Sequence, residues 1–367
     1  MKYFLIAGDY SGDIHGSSLM HVLKKKDTKS EFIGLGGNEM CKEGMTSVIS
    51  KSDFSVMGIT DVVLRLSYLI RVLNHVKKAL RQTSPDILIL IDYSGFNLRL
   101  LKFAHDLGIP ICYYIAPKLW AWNEGRIKML RKYVNRLLVI LPFEAAYFNE
   151  LNVSTRYVGS PVLENIDRSN HNSLNSAIDL DIVLMPGSRI SEVKTMLEIL
   201  FEIVRFKPHL KFVVAGVKTI PKECYDKISL LENCEIIYSK TYELISKAQL
   251  AIVASGTATL EVALLNTPQV VIYRTNLLNY WLAKLFIKVK YISLVNLLLD
   301  RRVVDELIQD ELSVTNLNMK IQEVMTNSET KKRISEGYSE IRYILGEQIA
   351  SENAANEIVG MLKFKQL

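Results

Sequence analysis

Leu250-Ala251-Ile252-Val253-Ala254-Ser255-Gly256-Thr257-Ala258-Thr259-Leu260-Glu261 is an apolar run that stops on small and hydroxylated residues. The apolar part, 250–254, shows no polar alternation, as expected of a strand covered on both faces in a parallel sheet. The small residues then turn the chain into a helix that starts at Gly256 or Thr257. Such a start leaves backbone N–H groups unbonded at the positive end of the helix dipole, where a diphosphate is stabilised. Ser255 and Thr257 add hydroxyl donors, and Glu261 follows within the next turn or so, in reach of ribose hydroxyls. An ordinary capped helix with an acid in its first turns accounts for the same residues.

The same strand-into-helix pattern extends in both directions. Toward the amino end, strands read at 3–7, 31–35, 87–91, 111–115 and 137–140, with helical stretches at 16–25, 61–81 and 98–107. A polar segment without apolar periodicity, 167–175, follows Val158-Gly159-Ser160-Pro161 and reads as a linker. Beyond it strands recur at 181–185, 210–215, 235–238, 250–254 and 269–273, again with helices between. This alternation predicts two Rossmann-like, doubly wound parallel-sheet α/β domains in tandem, with a ligand cleft between them near the carboxyl ends of the strands. The domains are expected at 1–163 and 176–334. The tail from about 327 to 367 reads as amphipathic helix, packing back on the first domain from about 335. A length of 367 residues agrees with two cores rather than one.

Composition narrows the function classes. Hydrophobic residues are 49% and charged residues 23%, which rules against large-scale disorder. The net charge of +6 suits an anionic membrane or a phosphorylated ligand better than nucleic acid, and no dense Lys/Arg block is present. Lys24, Lys25 and Lys26 read as a solvated helix end. Cys41, Cys112, Cys224 and Cys234 have no Cys-x-x-Cys spacing and no accompanying His pair, so neither structural zinc nor a disulfide framework is expected. The amino terminus meets Asp9 too early for a secretory signal, and no uncharged apolar run reaches the roughly 18–20 residues of a membrane span. A cytoplasmic protein with peripheral membrane contact at most is the expectation.

Three further stretches carry chemistry. Ala7-Gly8-Asp9-Tyr10-Ser11-Gly12-Asp13-Ile14-His15-Gly16 follows the first strand. Its glycines permit a tight turn and close approach to a ligand, but their spacing is not the Gly-x-Gly-x-x-Gly of a dinucleotide site. Its two acids oppose phosphate; polar recognition of sugar hydroxyls, through Ser11, Asp13 and His15, suits the loop better. A strand–helix turn kept small for packing is the plain alternative. Ile91-Asp92-Tyr93-Ser94-Gly95-Phe96-Asn97 places an acid at the carboxyl end of a buried strand, where it could take a proton from an attacking hydroxyl. Capping a helix that begins near Phe96 would explain Asp92 equally. Met185-Pro186-Gly187-Ser188-Arg189 opens the second half, and its arginine can pair with a diphosphate at a helix start.

In this order and spacing, the four motifs resemble the lipid-A-disaccharide synthase family over nearly the whole chain. Further matching stretches are 34–45 with its Gly-Gly and Met pattern, Val56-Met57-Gly58-Ile59, Tyr113-Tyr114-Ile115-Ala116-Pro117 and Leu119-Trp120-Ala121-Trp122. Later come Leu141-Pro142-Phe143-Glu144, Val158-Gly159-Ser160-Pro161, Tyr273-Arg274, Tyr291-Ile292-Ser293-Leu294-Val295-Asn296 and Glu306-Leu307-Ile308-Gln309. The chain departs from the family at Asp9-Tyr10 (usually Glu-Ala), Ser94-Gly95 (Pro-Asp), Ser160 (commonly His) and Val295 (commonly Pro). Loss of the second acid beside Asp92 removes one alternative base and puts more weight on Asp92.

The resemblance implies a GT-B fold and an inverting, metal-independent transfer that needs no cofactor. The donor would be UDP-2,3-diacylglucosamine and the acceptor 2,3-diacylglucosamine 1-phosphate, giving a β-1,6-linked disaccharide 1-phosphate and UDP. It makes the first domain acceptor-binding and the second UDP-sugar-binding, with Asp92 as the base and Arg189, Gly256 and Thr257 carrying the leaving-group charge. It also adds Asn97, Arg274 and Asn296 to the substrate-binding set and leaves a homodimer open. Acylated substrates imply contact with the inner membrane surface. Two stretches that mix apolar and basic residues fit that contact: 61–81, with Arg65, Arg71, Lys77 and Lys78, and 277–290, with Tyr280, Trp281, Lys284, Leu285, Phe286, Lys288 and Lys290. Core-facing helices with snorkelling lysines are the alternative. The rival functions are a UDP-N-acetylglucosamine 2-epimerase, a muramyl glycosyltransferase, a nicotinamide dehydrogenase and a non-catalytic nucleotide-binding subunit.

Overall fold

A computed structural model of the chain describes residues 1–49, 62–120, 124–169, 178–276, 280 and 289–364, with side chains left out at 62–67, 124 and 364. Several sequence readings lie outside the described residues: the Val56–Ile59 motif, Asp61, Ala121-Trp122, most of the 167–175 linker, and Trp281, Lys284, Leu285, Phe286 and Lys288.

Contacts divide the chain into two compact units, Met1–Pro161 with Glu347–Leu367, and Val162–Gly346. In unit 1 seven strands form one parallel sheet: β1 (Lys2–Ala7), β2 (Glu31–Leu35), β3 (Thr46–Ser47), β4 (Ile87–Ile91), β5 (Ile111–Tyr114), β6 (Arg136–Val139) and β7 (Thr155–Tyr157). They stand in the order β3-β2-β1-β4-β5-β6-β7. The central strands are apolar throughout because both faces are covered. Phe4 and Ile6 of β1 face a core shared with Val72, Val76 and Leu80 of the helix Val62–Thr83, while Tyr3, Leu5 and Ala7 face Leu19 and Leu23 of the helix Tyr10–Lys26. Each such fully buried aliphatic side chain contributes roughly 1.5–3 kcal/mol.

In unit 2 six parallel strands follow: β8 (Ile182–Met185), β9 (Phe212–Gly216), β10 (Cys234–Tyr238), β11 (Leu250–Ala254), β12 (Gln269–Tyr273) and β13 (Asp305–Ile308). Their order is β10-β9-β8-β11-β12-β13. The direction of winding therefore reverses between β1 and β4 in unit 1 and between β8 and β11 in unit 2, and ligands of open parallel sheets bind at the carboxyl ends of such strand pairs.

The strands that sequence reading missed, β3, β7 and β13, include both edges of unit 1 and one edge of unit 2. They are two to four residues long and either wholly polar, as in β3, or a mix of polar and apolar residues, so no apolar run marks them. The stretch 98–107 contains a shorter helix, Leu101–Asp106, preceded by the turn of helix Ser94–Asn97. The tail is two helices, Ser328–Leu345 and Ala350–Phe364, separated at Gly346, whose φ is +68°. Only the second returns to unit 1, so the return begins at Glu347 and not near 335. The first is held in unit 2 by buried Ile334, Tyr338 and Ile341, with the Tyr338 hydroxyl accepting from Gln269 Nε2 at 2.9 Å. The second is tied to unit 1 by Asn353 Nδ2, which donates to the Val158 carbonyl, and by the Arg136–Glu357 ion pair. Among the described residues no helix is long and apolar enough to cross a membrane.

Candidate active site

At the reversal point of unit 1, β4 ends on Ile91 and the next two residues both take left-handed backbone, Asp92 with φ +44° and Tyr93 with φ +41°. Neither is glycine, and each such residue costs roughly 1–3 kcal/mol that neighbours must offset. The neighbours are specific. The Asp92 carbonyl accepts from the Tyr113 hydroxyl at 2.7 Å and from Asn97 Nδ2 at 2.8 Å, and its N–H donates to the Tyr114 carbonyl at 3.0 Å. The Tyr93 ring lies over Gly8, where a Cβ would fall 2.0 Å from a ring carbon. Gly8 is thus glycine to admit a tyrosine ring, and the first and second motifs meet through that contact. The residue at the N-cap of the helix Ser94–Asn97 is Tyr93, one position after Asp92.

The first loop is taken up largely by its own structure. Asp9 caps the helix Tyr10–Lys26, accepting from Gly12 N–H at 2.7 Å and the Ser11 hydroxyl at 3.1 Å. Asp13, only 2% exposed, accepts backbone N–H bonds from Gly37, Glu39 and Met40 at 2.8–3.0 Å and so anchors the start of the helix Asn38–Lys42. Asn97, fully buried, donates to the Ile91 and Asp92 carbonyls. Both side chains therefore fix backbone in this structure. His15 keeps a buried Nδ1 without a hydrogen-bond partner among the described residues, and burial pushes the imidazole down to about 4, against a smaller upward pull from Asp9.

One pairing escaped the sequence reading. Glu144, 2% exposed, accepts from Trp120 Nε1 at 2.9 Å and from the Leu141 N–H at 3.2 Å, joining the turns after β5 and β6. Burial raises its carboxyl to about 7, with the Trp120 bond opposing. Both residues lay in quoted motifs; nothing in their spacing showed that they meet.

Unit 2 repeats the layout with different means. Gly187, after β8, has φ +115° and lies close to Ala254 at the end of β11, so the third and fourth motifs are also neighbours. Arg189 is the N-cap residue of the helix Ile190–Phe206; its guanidinium is 76% exposed and bonds Glu192 at 3.1 Å. The N–H groups of Gly256 and Thr257, ahead of the helix Ala258–Leu264, have no acceptor among the described residues. Glu261 stands half-buried nearby, its carboxylate without a hydrogen-bond partner among the described residues, and desolvation raises that carboxyl to about 7.

A buried polar scaffold holds this helix start. The Ser255 hydroxyl donates to the Ile292 carbonyl at 2.8 Å, and Thr259 Oγ1 donates to the Gly256 carbonyl and accepts from Leu294 N–H. Glu306 accepts from Ile292 N–H, Ser293 N–H, the Ser293 hydroxyl and Asn296 Nδ2. Asn296, fully buried, also donates to the Val304 carbonyl and accepts from Val303 and Val304 N–H. Arg274 Nη2 donates to the Gln309 and Leu312 carbonyls, and Gln309 bonds both backbone groups of Thr275. Asn296, Ser255 and Arg274 thus brace backbone groups in this structure. Every hydrogen-bonding position of the Asn296 amide is occupied, the only hydroxyl proton of Ser255 is used, and Arg274 clamps the turn after β13. Glu306, Thr259 and Gln309 are the residues sequence reasoning left without a role.

Two parallel sheets of this winding in tandem define the class as GT-B. Solved structures of that fold match along the whole chain. A UDP-GlcNAc 2-epimerase from Neisseria meningitidis bound to UDP-GlcNAc has a TM-score of 0.69 at 13% identity, over 99% of this chain and 100% of that one. The glycosyltransferase of kitacinnamycin has a TM-score of 0.63 at 13% identity, over 98% and 99%. Within the class the sequence is specific: residues 3–359 match the family model for lipid-A-disaccharide synthetase, and the chain belongs to that family. Lipid-A-disaccharide synthases of Myxococcus xanthus and Trichlorobacter lovleyi are 34% and 33% identical to it, over 98% and 99% of this chain and 97% and 98% of theirs. It is a hexosyltransferase, and the epimerase likeness is one of fold.

Proposed function

We propose that the chain transfers 2,3-diacylglucosamine from UDP-2,3-diacylglucosamine to 2,3-diacylglucosamine 1-phosphate, with Asp92 as the base. The observation that carries the assignment is the left-handed Asp92-Tyr93 pair at the reversal point of unit 1, held by Tyr113, Asn97 and Gly8. Backbone strain of this kind persists only where surroundings over-determine it, and it concentrates at active sites. The acceptor's 6-hydroxyl gives its proton to the Asp92 carboxylate as its oxygen bonds the anomeric carbon, and the bond from that carbon to the UDP oxygen breaks on the opposite face. The product linkage is β-1,6 and UDP leaves as an anion.

Unit 2 carries that anion. The Gly256 and Thr257 N–H groups and the exposed Arg189 guanidinium meet the diphosphate, and Glu261 accepts from the ribose hydroxyls. Ser11 and His15 border the acceptor's sugar. Because both substrates are acylated, the protein works at the inner membrane surface as a peripheral cytoplasmic enzyme. Incubation with the two substrates, followed by mass spectrometry of the lipid, should show the tetraacylated disaccharide 1-phosphate together with stoichiometric UDP. Release of UDP without that lipid would refute the acceptor.

A further inference from the structure

Away from the two loop clusters, positive charge is concentrated on the helix Val62–Thr83. Lys77, Lys78 and Arg81 line a surface cavity of about 560 Å³ with Asn74, Gln82 and Phe103. Lys77 Nζ lies 5.3 Å and the Arg81 guanidinium carbon 5.0 Å from the centre of the Phe103 ring, which projects from the helix Leu101–Asp106. The ring therefore holds two cations beside one hollow. Among the described residues none of the three cations forms an ion pair with a carboxylate. Like charges at this helical spacing repel one another, although the negative end of the helix dipole offsets part of that.

An oxyanion would relieve the repulsion and take donors from the ammonium, guanidinium and amide groups together. The cavity is separate from the candidate active site. Gln82 precedes the amino end of β4, whereas Asp92 follows its carboxyl end, so the two lie at opposite edges of the sheet. Exposed apolar side chains flank it: Ile70, 48% exposed, two helical turns before Lys77, and Leu107, 40% exposed, one turn past Phe103. Cations beside exposed aliphatic groups suit a bilayer interface more than a phosphate free in solution.

We propose that this cavity seats the phosphate group of an anionic lipid headgroup. The inference deepens the peripheral-membrane reading and is independent of Asp92 and of the nucleotide site. The test uses the full chain, with co-sedimentation on phosphatidylglycerol and phosphatidylcholine vesicles and calorimetry with soluble glycerol phosphate. Wild type should bind phosphatidylglycerol vesicles well and the other two ligands poorly. The variant Lys77→Gln/Lys78→Gln/Arg81→Gln should lose on the order of 100-fold in affinity for phosphatidylglycerol vesicles. A control with the same charge change on exposed residues elsewhere in unit 1, Lys25→Gln/Lys26→Gln/Lys29→Gln, should lose far less. Phe103→Leu, which leaves every charge in place, should lose several-fold, and UDP affinity should be unchanged in all three. Equal losses in the control and cavity variants, undiminished binding by the cavity variant, or glycerol phosphate binding as tight as vesicle binding would each overturn the proposal.

Discussion

The loop after β4 and the helix start after β11 occupy the same place in their respective sheets, yet each is held differently. In unit 1 Asp92 and Tyr93 sit on strained backbone: the Asp92 carbonyl is pinned by Tyr113 and Asn97, and the Tyr93 ring is seated on Gly8. In unit 2 the backbone before Ala258 is unstrained, with Thr257 in ordinary right-handed conformation. Its position comes from a buried polar network through Ser255, Thr259, Ser293, Asn296 and Glu306. A base must be aimed at one proton, and a locally strained residue is aimed by its own backbone. A diphosphate is met by several N–H groups at once, and for that a whole helix end has to be fixed from behind.

The largest effect should come from removing the aimed group itself. Asp92→Asn keeps the shape but cannot accept a proton, so turnover should fall by on the order of 10²–10⁴ with thermal stability and UDP affinity preserved. Near-normal turnover by the folded variant would pass the role of base to His15. Next, Asn296→Ala should strip partners from two buried backbone N–H groups and a carbonyl, at about 1–3 kcal/mol for each group left unsatisfied. Unit 2 should melt earlier and UDP binding weaken with it; a variant that loses only UDP affinity, with unchanged melting, would mean that Asn296 touches the nucleotide after all.

Tyr113→Phe sharpens the other side of the comparison. It deletes one hydrogen bond to the Asp92 carbonyl, worth about 1 kcal/mol, so kcat should drop several-fold while UDP affinity, measured by calorimetry, stays put. Equal losses in kcat and UDP affinity would show that the two loops are not separately held. The smallest effect concerns Glu261. Its folded-state carboxyl is raised to about 7, above the unfolded value, so the folded state binds the extra proton and stability is lost as pH rises from about 4.5 through 7. Glu261→Gln should therefore melt a few degrees higher than wild type at pH 8 and nearly the same at pH 4, with weaker UDP binding at both; a melting difference that does not change with pH would contradict a desolvated carboxylate at this position.

Much of the fold could be read from residue pattern. The ten strands expected from apolar runs are all present to within two residues at either end; nine are interior and so largely apolar along their length, and the edge strand β10 still carries Ile236 and Ile237. Edge strands carry no such requirement, and for that reason Thr46–Ser47, Thr155–Tyr157 and Asp305–Ile308 went unseen. The four loops at the strand ends were also legible, since glycines, hydroxyls and acids placed after an apolar run announce a turn at the carboxyl edge. What each polar residue does in those loops was not. Asp13, Asn97 and Asn296 look as available to a ligand as Asp92 or Glu261 when read in a line, and only their burial against backbone N–H and carbonyl groups separates them.

By itself the sequence determined the α/β class, the two-sheet organisation and the family, since these rest on hydrophobic periodicity and on ordered motifs along the chain. Tertiary structure alone decided which motifs meet, Gly8 with Tyr93, Trp120 with Glu144, Ser255 with Ile292 and Glu306 with Ser293 and Asn296. It decided too which polar side chains are spent on backbone groups. The reason is physical: a buried hydrogen-bonding group takes a partner wherever the fold supplies one, and that partner is 10 to 37 residues away in these hydrogen-bonded pairs, beyond any local spacing rule.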